Sequence, residues 1–173
     1  MKIATKLYLL VGLLLALSVS VGGMGLFGMK TAVGGLETVY NDRVVPLRDL
    51  KDIADAYAVN IVDTTHKVRN NGMNPQEGLA SVEQAEKLIA ERWKAYLGTV
   101  LVDEEKKLVA EIEPRMKVAD LTVAKLKTLL RESKQDEIAT FAAQELYASI
   151  DPVSESFSRL VTVQLDVAKR EYE

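Results

Sequence analysis

The chain contains 173 residues, enough for one domain of ordinary size, and 48% of them are apolar while only 6% are aromatic. Its 22 lysines and arginines against 25 aspartates and glutamates give a net charge of -3, which argues against a nucleic-acid partner. The absence of cysteine excludes disulfides, thiolate zinc sites and cysteine nucleophiles, and a single histidine excludes a multi-histidine metal site. We therefore predict no metal site and no cofactor.

The N-terminal part has the pattern of a transmembrane helix. Residues 7–29 carry no charge, and a helix of that length is roughly 34 Å long, enough to cross a bilayer core. The alternative is a cleaved signal peptide, but this apolar run is longer than the roughly 7–15 residues of a signal peptide. Lys2 and Lys6 precede the span, so the positive-inside rule places residues 1–6 in the cytoplasm and residues 30–173 on the other side of the membrane.

Beyond residue 29 the pattern is that of helices throughout, since no stretch alternates apolar and polar residues for long enough to predict a strand. A Gly/Asn/Pro cluster at 70–75, a turn at 98–103 and a break near Ser133 separate four predicted helices, at about 30–70, 75–98, 103–133 and 135–173. The first has a heptad seam at Leu47, Leu50, Ala54, Tyr57, Ile61, Thr64 and Val68. Because short loops join the helices, the predicted fold is all-α: an antiparallel up-down-up-down four-helix bundle preceded by one transmembrane helix.

Capping residues and prolines refine this picture. Pro75 starts the second helix, and we expect Asp103 to cap the third. Pro114 and Pro152 interrupt the third and fourth helical patterns at nearly the same height. They either share one local bend or each begin a new helical segment, with Asp151 as a cap.

Several local runs resemble bacterial methyl-accepting chemotaxis receptors with a four-helix-bundle sensory domain. These runs are YNDRVVPL at 40–47, DAYAVNIVD at 55–63, HKVR at 66–69, WKAY at 93–96, DPV at 151–153 and QL at 164–165. The resemblance implies a homodimeric sensor in the bacterial inner membrane, with its sensory domain in the periplasm and a small-molecule ligand. The fourth helix would shift slightly against the first to transmit occupancy. Some sensor kinases and cyclases share this domain, and we expect further segments beyond residue 173.

Polar residues in the buried register of one layer are the signal for a ligand site in a bundle. Antiparallel pairing places six such residues at similar heights in the half of the bundle farther from the membrane. They are Asn60, Thr64, Glu86, Thr122, Gln144 and Tyr147.

A second stripe of the first helix becomes polar toward the end of that helix and is predicted to face a partner subunit. It consists of Ile53, Ala56, Asn60, Asp63 and Lys67, with Arg69 just beyond. Lys67 or Arg69 would be the counter-charge of a carboxylate ligand. In the aspartate-sensing receptors of the group that this chain resembles, arginines of the first helix and polar groups at the start of the fourth hold an amino acid across the dimer interface. Other receptors, which this chain resembles more closely, recognise small organic acids. Because this chain has only Arg69 there, we prefer a small organic acid over an amino acid.

Each candidate also has an ordinary structural explanation. Asp63 and Lys67 form an (i, i+4) pair typical of any helix, and Glu86 is expected to reach solvent if Ala85 fills the seam. His66 is expected at the surface, and Tyr57 and Trp93 are expected in the core. None of these three residues has a predicted ligand role. No catalytic motif is present, so we predict no enzyme. The alternative function is a membrane-anchored spacer or dimerisation module without a ligand site.

Overall fold

A computed structural model of the chain describes residues 3–172, apart from the side chains at positions 5, 37–39, 171 and 172. The chain divides into two compact units, Met1–Asn41 and Asp42–Glu173. The boundary falls later than residue 30, where the sequence pattern placed the start of the bundle. Lys2, one of the two charges behind the predicted orientation, lies outside the described residues.

The first unit is formed by one long helix, α1, which covers Ile3–Val39. This helix includes a stretch that is long and apolar enough to cross a membrane. Its large apolar side chains are exposed, as lipid contact requires. The hydroxyls of Ser18 and Ser20 donate back to the carbonyls of Leu14 and Ala16, at 2.9 and 2.8 Å, so neither is left unpaired in a hydrocarbon environment.

The second unit is an antiparallel four-helix bundle, and the predicted fold class is confirmed. After a π-helical turn at Tyr40–Val44, the first bundle helix consists of α2 (Val45–Asp55), a π-helical segment (Ala56–Asp63) and α3 (Thr64–Arg69). The second and third bundle helices are α4 (Pro75–Leu97) and α5 (Asp103–Arg131). The fourth consists of α6 (Gln135–Phe141), a π-helical segment (Ala142–Leu146) and α7 (Tyr147–Tyr172). Each helix packs against its neighbours in sequence, and the first packs against the fourth.

The bundle has two distinct ends, which we call the base and the tip. At the base, the Gln164 side chain of the fourth helix donates to the carbonyl of Asp42, where the first helix begins. The tip contains the turns at residues 70–74 and 132–134. There the Gln135 amide donates to the carbonyls of Val68 and Arg69, at 2.6 and 3.0 Å, and so satisfies two carbonyls at the end of the first helix.

The turns follow the predicted chemistry with one correction. Asn74 caps the second helix by accepting a hydrogen bond from the Glu77 backbone, at 2.8 Å, and Pro75 follows as the first helical residue. Asp103 was expected to cap the third helix, but it is the first helical residue and Val102 is the cap. Because valine has no side-chain acceptor, the buried Glu105 carboxylate reaches back and accepts from the Val102 N–H, at 2.8 Å.

The core follows the predicted seam. Tyr57, Ile61, Thr64 and Val68 are buried on the first helix, while Leu47 is half-buried. Tyr57 and Trp93 are core residues, as expected, and both rings pack against Phe157 of the fourth helix. Three of the four helices therefore meet in one aromatic cluster.

The second polar stripe of the first helix does not face a partner along its whole length. Ile53 and Ala56 are fully buried inside the bundle, whereas Asn60 and Asp63 are half-buried and Lys67 is exposed. The cause is the π-helical segment, because each extra residue in a turn rotates the rest of the helix by about 100°. A stripe drawn at regular α-helical spacing therefore leaves the core as it passes through this segment.

Both prolines lie inside continuous helices. Pro114 is within α5 and Pro152 is within α7, so neither begins a new segment and Asp151 is not a cap. They do lie at the same height, where they line one surface cavity with Val118 and Ala148.

Candidate functional site

Polar side-chain pairs join neighbouring helices in the tip half of the bundle. Thr64 contacts Ser81 across the first and second helices, at 3.1 Å, and the Lys127 ammonium lies 2.6 Å from the Glu86 carboxylate across the second and third. The remaining pairs are Thr122 with Ser149, at 2.8 Å, and His66 with Tyr147, at 2.7 Å. We call these four contacts the seam pairs. Together they bridge all four seams between neighbouring helices of the bundle.

Apolar side chains dominate the interior at this level, where Thr64 and Thr65 are the buried polar residues of the first helix. Four predicted site residues, Thr64, Glu86, Thr122 and Tyr147, lie in separate seams and do not meet in one layer. Ala85 fills the seam beside Glu86, as expected. The space between the helices is filled by Ile61, Val82, Ala85, Val123, Leu126, Leu146 and Ile150. A ligand at this level would therefore contact the bundle from a seam or a face.

Asn60 and Gln144 take no part in the seam pairs. Asn60 is half-buried and borders a surface cavity of about 240 Å³ between the first and second helices. Its backbone carbonyl accepts from the Ser81 hydroxyl at 3.4 Å. Gln144 is exposed.

The end of the first helix carries the candidate counter-charges. Lys67 pairs with Asp63 at 2.7 Å, and both side chains are about half exposed, so the pair is the ordinary (i, i+4) contact. The Arg69 Nε donates to the Asn70 side chain at 3.1 Å, which leaves the terminal guanidinium nitrogens available for a planar anion. Lys67 and Arg69 also lie in the last helical turn, where the helix dipole favours cations.

His66 is the contact that sequence reasoning missed. It was expected at the surface, yet it is half-buried, its ring centroid lies 5.7 Å from that of Tyr147, and its Nε2 is hydrogen-bonded to the Tyr147 hydroxyl. Burial, together with the positive charge of Arg69, lowers the pKa of His66 below 6.5, and the negative charge of Asp63 opposes this. The sequence signal for this contact is the antiparallel pairing of the first and fourth helices, which brings these two residues to similar heights.

Asp120 marks a second electrostatic feature, near the Glu86 seam pair. Partial burial and the charge of Glu86 raise the pKa of the Asp120 carboxyl, and Lys127 opposes this. Burial, followed by the charge of Asp120, raises the pKa of the Tyr57 hydroxyl, which has no hydrogen-bond partner among the described residues. The charge of the Asp120 carboxylate therefore acts on the Tyr57 hydroxyl in the core, which is unpaired among the described residues.

Replacing Asp120 with asparagine should stabilise the bundle slightly at pH 7. A carboxyl whose pKa is raised by folding holds its proton better in the folded state, so its ionisation opposes folding above the unfolded pKa near 3.8. The gain should be up to about 0.5 kcal/mol, because most of the Asp120 side chain remains in contact with solvent that screens its charge, and it should vanish as the pH falls below that value. Urea unfolding of the full chain at both pH values measures this, with Asp151→Asn as the exposed control. A gain that persists at low pH would contradict the electrostatic explanation.

Metal-ligand geometry is absent from the part of the chain that the structure describes. No group of three or more His, Asp or Glu side chains in residues 3–172 is arranged to hold a metal ion.

Comparison with known proteins assigns the fold to a family. The whole chain, residues 1–173, matches the family described as a four helix bundle sensory module for signal transduction. The chain belongs to this family. This sensory module is a receptor part and not a class of enzyme, and the candidate membrane-crossing helix is consistent with a membrane-anchored receptor.

A curated relative supports the same assignment. The sensory module is 39% identical over 171 residues to the methyl-accepting chemotaxis protein NahY of Pseudomonas putida. The match covers 99% of this chain and 32% of that protein, so the module spans about a third of its relative's length. No solved structure matches the chain. The resemblance to chemoreceptor sensory domains is thereby confirmed.

Proposed function

We propose that this sensory module is the periplasmic, ligand-binding part of a chemoreceptor in the bacterial inner membrane and works as a homodimer. It binds a small organic acid, or secondarily an amino acid, at the tip of the bundle. Binding shifts the fourth helix slightly against the first. The module carries out no catalysis of its own.

The observation that carries this proposal is the charge arrangement at the end of the first helix. Lys67 and Arg69 supply two cations in the last helical turn, on different faces of the helix, and the charge of Arg69 acts on His66, which contacts the fourth helix. An anion held there would contact the first helix by charge and reach the Tyr147 hydroxyl of the fourth. Only a ligand whose affinity differs between two positions of these helices can bias one of them, and a ligand spanning both meets that condition.

Two of the three π-helical segments favour the same region, while the third, at Tyr40–Val44, lies at the base. Ala56–Asp63 on the first helix and Ala142–Leu146 on the fourth lie in the tip half of the bundle, flanking the His66–Tyr147 pair. Such segments concentrate at functional sites, because the widened turn weakens the regular backbone ladder. They are the places where a small sliding motion of one helix costs least.

The ligand is tested by thermal melting of the full chain in lipid nanodiscs against a panel of dicarboxylates, tricarboxylates and amino acids. A compound at 100 times its Kd should stabilise the bundle by about 2.7 kcal/mol and raise the melting temperature by several degrees. Replacing Lys67 and Arg69 together with alanine should weaken its binding at least about tenfold, since a charged contact contributes about 1.5–3 kcal/mol.

Lys106→Ala is the matched control, because Lys106 is an exposed lysine at the base of the bundle, on the third helix, where it is paired with Asp103. It should leave the melting shift unchanged. A panel without any shift would contradict ligand binding and favour the spacer function. A shift that survives loss of Lys67 and Arg69 would place the ligand elsewhere.

The homodimer is expected to form through the exposed face of the first helix. Val44 and Val59 are 48% and 53% exposed there, with Lys51 and Asp55 between them. Because the chain contains no cysteine, Val59→Cys introduces a single thiol. We expect oxidation in membranes to join two copies of this variant, since a disulfide forms when the Cα atoms lie within about 7 Å. Glu113→Cys, exposed on the third helix, should stay largely unlinked, and equal cross-linking of both variants would argue against this interface.

A further inference from the structure

The His66–Tyr147 pair joins two helices that the proposed signalling movement would displace. Its two side chains come from residues 81 positions apart, and the bond between Nε2 and the hydroxyl is 2.7 Å long. The rings also pack against each other, with an angle of 33° between their planes. A sliding motion of the fourth helix along the first must stretch or break this contact.

The other ring nitrogen of His66 is buried and unpaired. Nδ1 has no hydrogen-bond partner among the described residues. A neutral imidazole tolerates this arrangement, because only one of its nitrogens carries a proton. An imidazolium has an N–H on both nitrogens, so protonation leaves a charged donor buried without an acceptor.

The charged groups around His66 do not offer a better partner. On its own helix, Asp63 is already held by Lys67 at 2.7 Å, and Arg69 repels a positive ring. The fourth helix presents Tyr147, whose hydroxyl can reverse its hydrogen bond but cannot neutralise the charge. Water is therefore the best environment for the protonated ring.

We propose that His66 and Tyr147 form a proton-operated latch between the first and fourth helices, closed when His66 is neutral and opened when it is protonated. Protonation makes the ring leave Tyr147 for solvent and removes the side-chain bond that resists sliding of the fourth helix. Acidification is then a stimulus that needs no carboxylate ligand, although both act at the Tyr147 hydroxyl.

The direction of the pH effect follows from burial. Because the folded state lowers the pKa of His66, the unfolded chain takes up the proton first as the pH falls below 6.5. The free energy of unfolding should therefore decrease across this window, and the latch should open in it. Variants without a titrating group at position 66 should lose this dependence.

The latch is tested on the full chain in nanodiscs. Since His66 is the sole histidine of the sequence, nitrogen NMR of chain labelled at histidine reports its protonation without overlap. Spin labels at Ala58→Cys and Glu155→Cys, both exposed positions, report the distance between the first and fourth helices within one chain. Labelled chain is diluted with unlabelled chain to exclude distances between subunits.

We expect His66 to titrate below 6.5, and the distance between the labels to change with the same midpoint. Tyr147→Phe keeps the ring but removes the hydroxyl, and should shift the His66 titration and abolish the pH-dependent distance change. His66→Gln should abolish it too while retaining a hydrogen-bonding side chain. Tyr40→Phe, at an exposed tyrosine, is the control that should behave as the unmodified chain.

Three results would overturn the latch. They are a His66 titration at or above 6.5, a titration unaffected by Tyr147→Phe, and a distance change that persists in His66→Gln. A merely structural role of the pair would leave the distance independent of pH, so it too counts against the proposal. None of these results bears on the carboxylate panel.

Discussion

Replacing Phe157 with alanine should lower the free energy of unfolding by about 3–5 kcal/mol, the range measured when a buried aromatic side chain is truncated. Phe157 is fully buried. Its ring meets Trp93 edge-on, with centroids 5.4 Å apart, and lies 6.1 Å from the ring of Tyr57. Truncation removes one side of the aromatic cluster that links the first, second and fourth helices. The cavity cannot close without moving whole helices.

Urea unfolding followed by the fluorescence of Trp93 measures this loss. Trp93 is the single tryptophan of the chain and lies in the bundle, so the signal excludes the unfolding of α1. Phe157→Leu is the matched control and should cost less than about 1.5 kcal/mol, because it preserves most of the volume. Equal effects of the two replacements would show that packing at this position is not what stabilises the bundle.

Replacing Glu105 with alanine should cost about 3 kcal/mol, because two hydrogen bonds to a charged acceptor are lost and one buried donor is orphaned. Glu105 is fully buried at the base of the bundle and accepts from the Tyr96 hydroxyl, at 3.0 Å, and from the Val102 backbone, at 2.8 Å. Burial, then the nearby Glu105 charge, raises the pKa of Tyr96, so its hydroxyl stays protonated and remains a donor. The buried Arg43 opposes that shift and places a positive charge in the same region.

Glu104 is the control for this replacement. It is exposed and lies 3.4 Å from Arg170, so Glu104→Ala should leave the free energy of unfolding nearly unchanged. The loss of unfolding free energy in Glu105→Gln should lie between those of Glu104→Ala and Glu105→Ala, because glutamine keeps an acceptor oxygen and loses the charge. If Glu104→Ala and Glu105→Ala had equal effects, the stabilising role of the Glu105 hydrogen bonds would be wrong.

The sequence was sufficient for the fold because heptad spacing and break residues act locally. The seam from Tyr57 to Val68, the break at residues 70–74 and the core position of Trp93 all follow from periodicity and turn chemistry. Ala85 filled its seam because small apolar residues suit close helix contact. The same reasoning placed Pro114 and Pro152 at one height.

The site was less predictable because it depends on how each helix is rotated about its own axis, and not on where along the chain each helix lies. Thr64, Glu86, Thr122 and Tyr147 each make their contact in a seam between two helices and do not meet in the interior. The π-helical segment at Ala56–Asp63 has no spacing signature, since its apolar residues fit a regular α-helix equally well.

Amide hydrogen exchange tests the central claim, that a ligand held at the tip engages both the first and the fourth helix. The full chain in nanodiscs is compared with and without the panel compound that raises its melting temperature most. We predict added protection confined to residues 63–70 and 142–150, and lost when Lys67 and Arg69 are both replaced. Protection centred on the base, or spread evenly over all four helices, would contradict a ligand site at the tip.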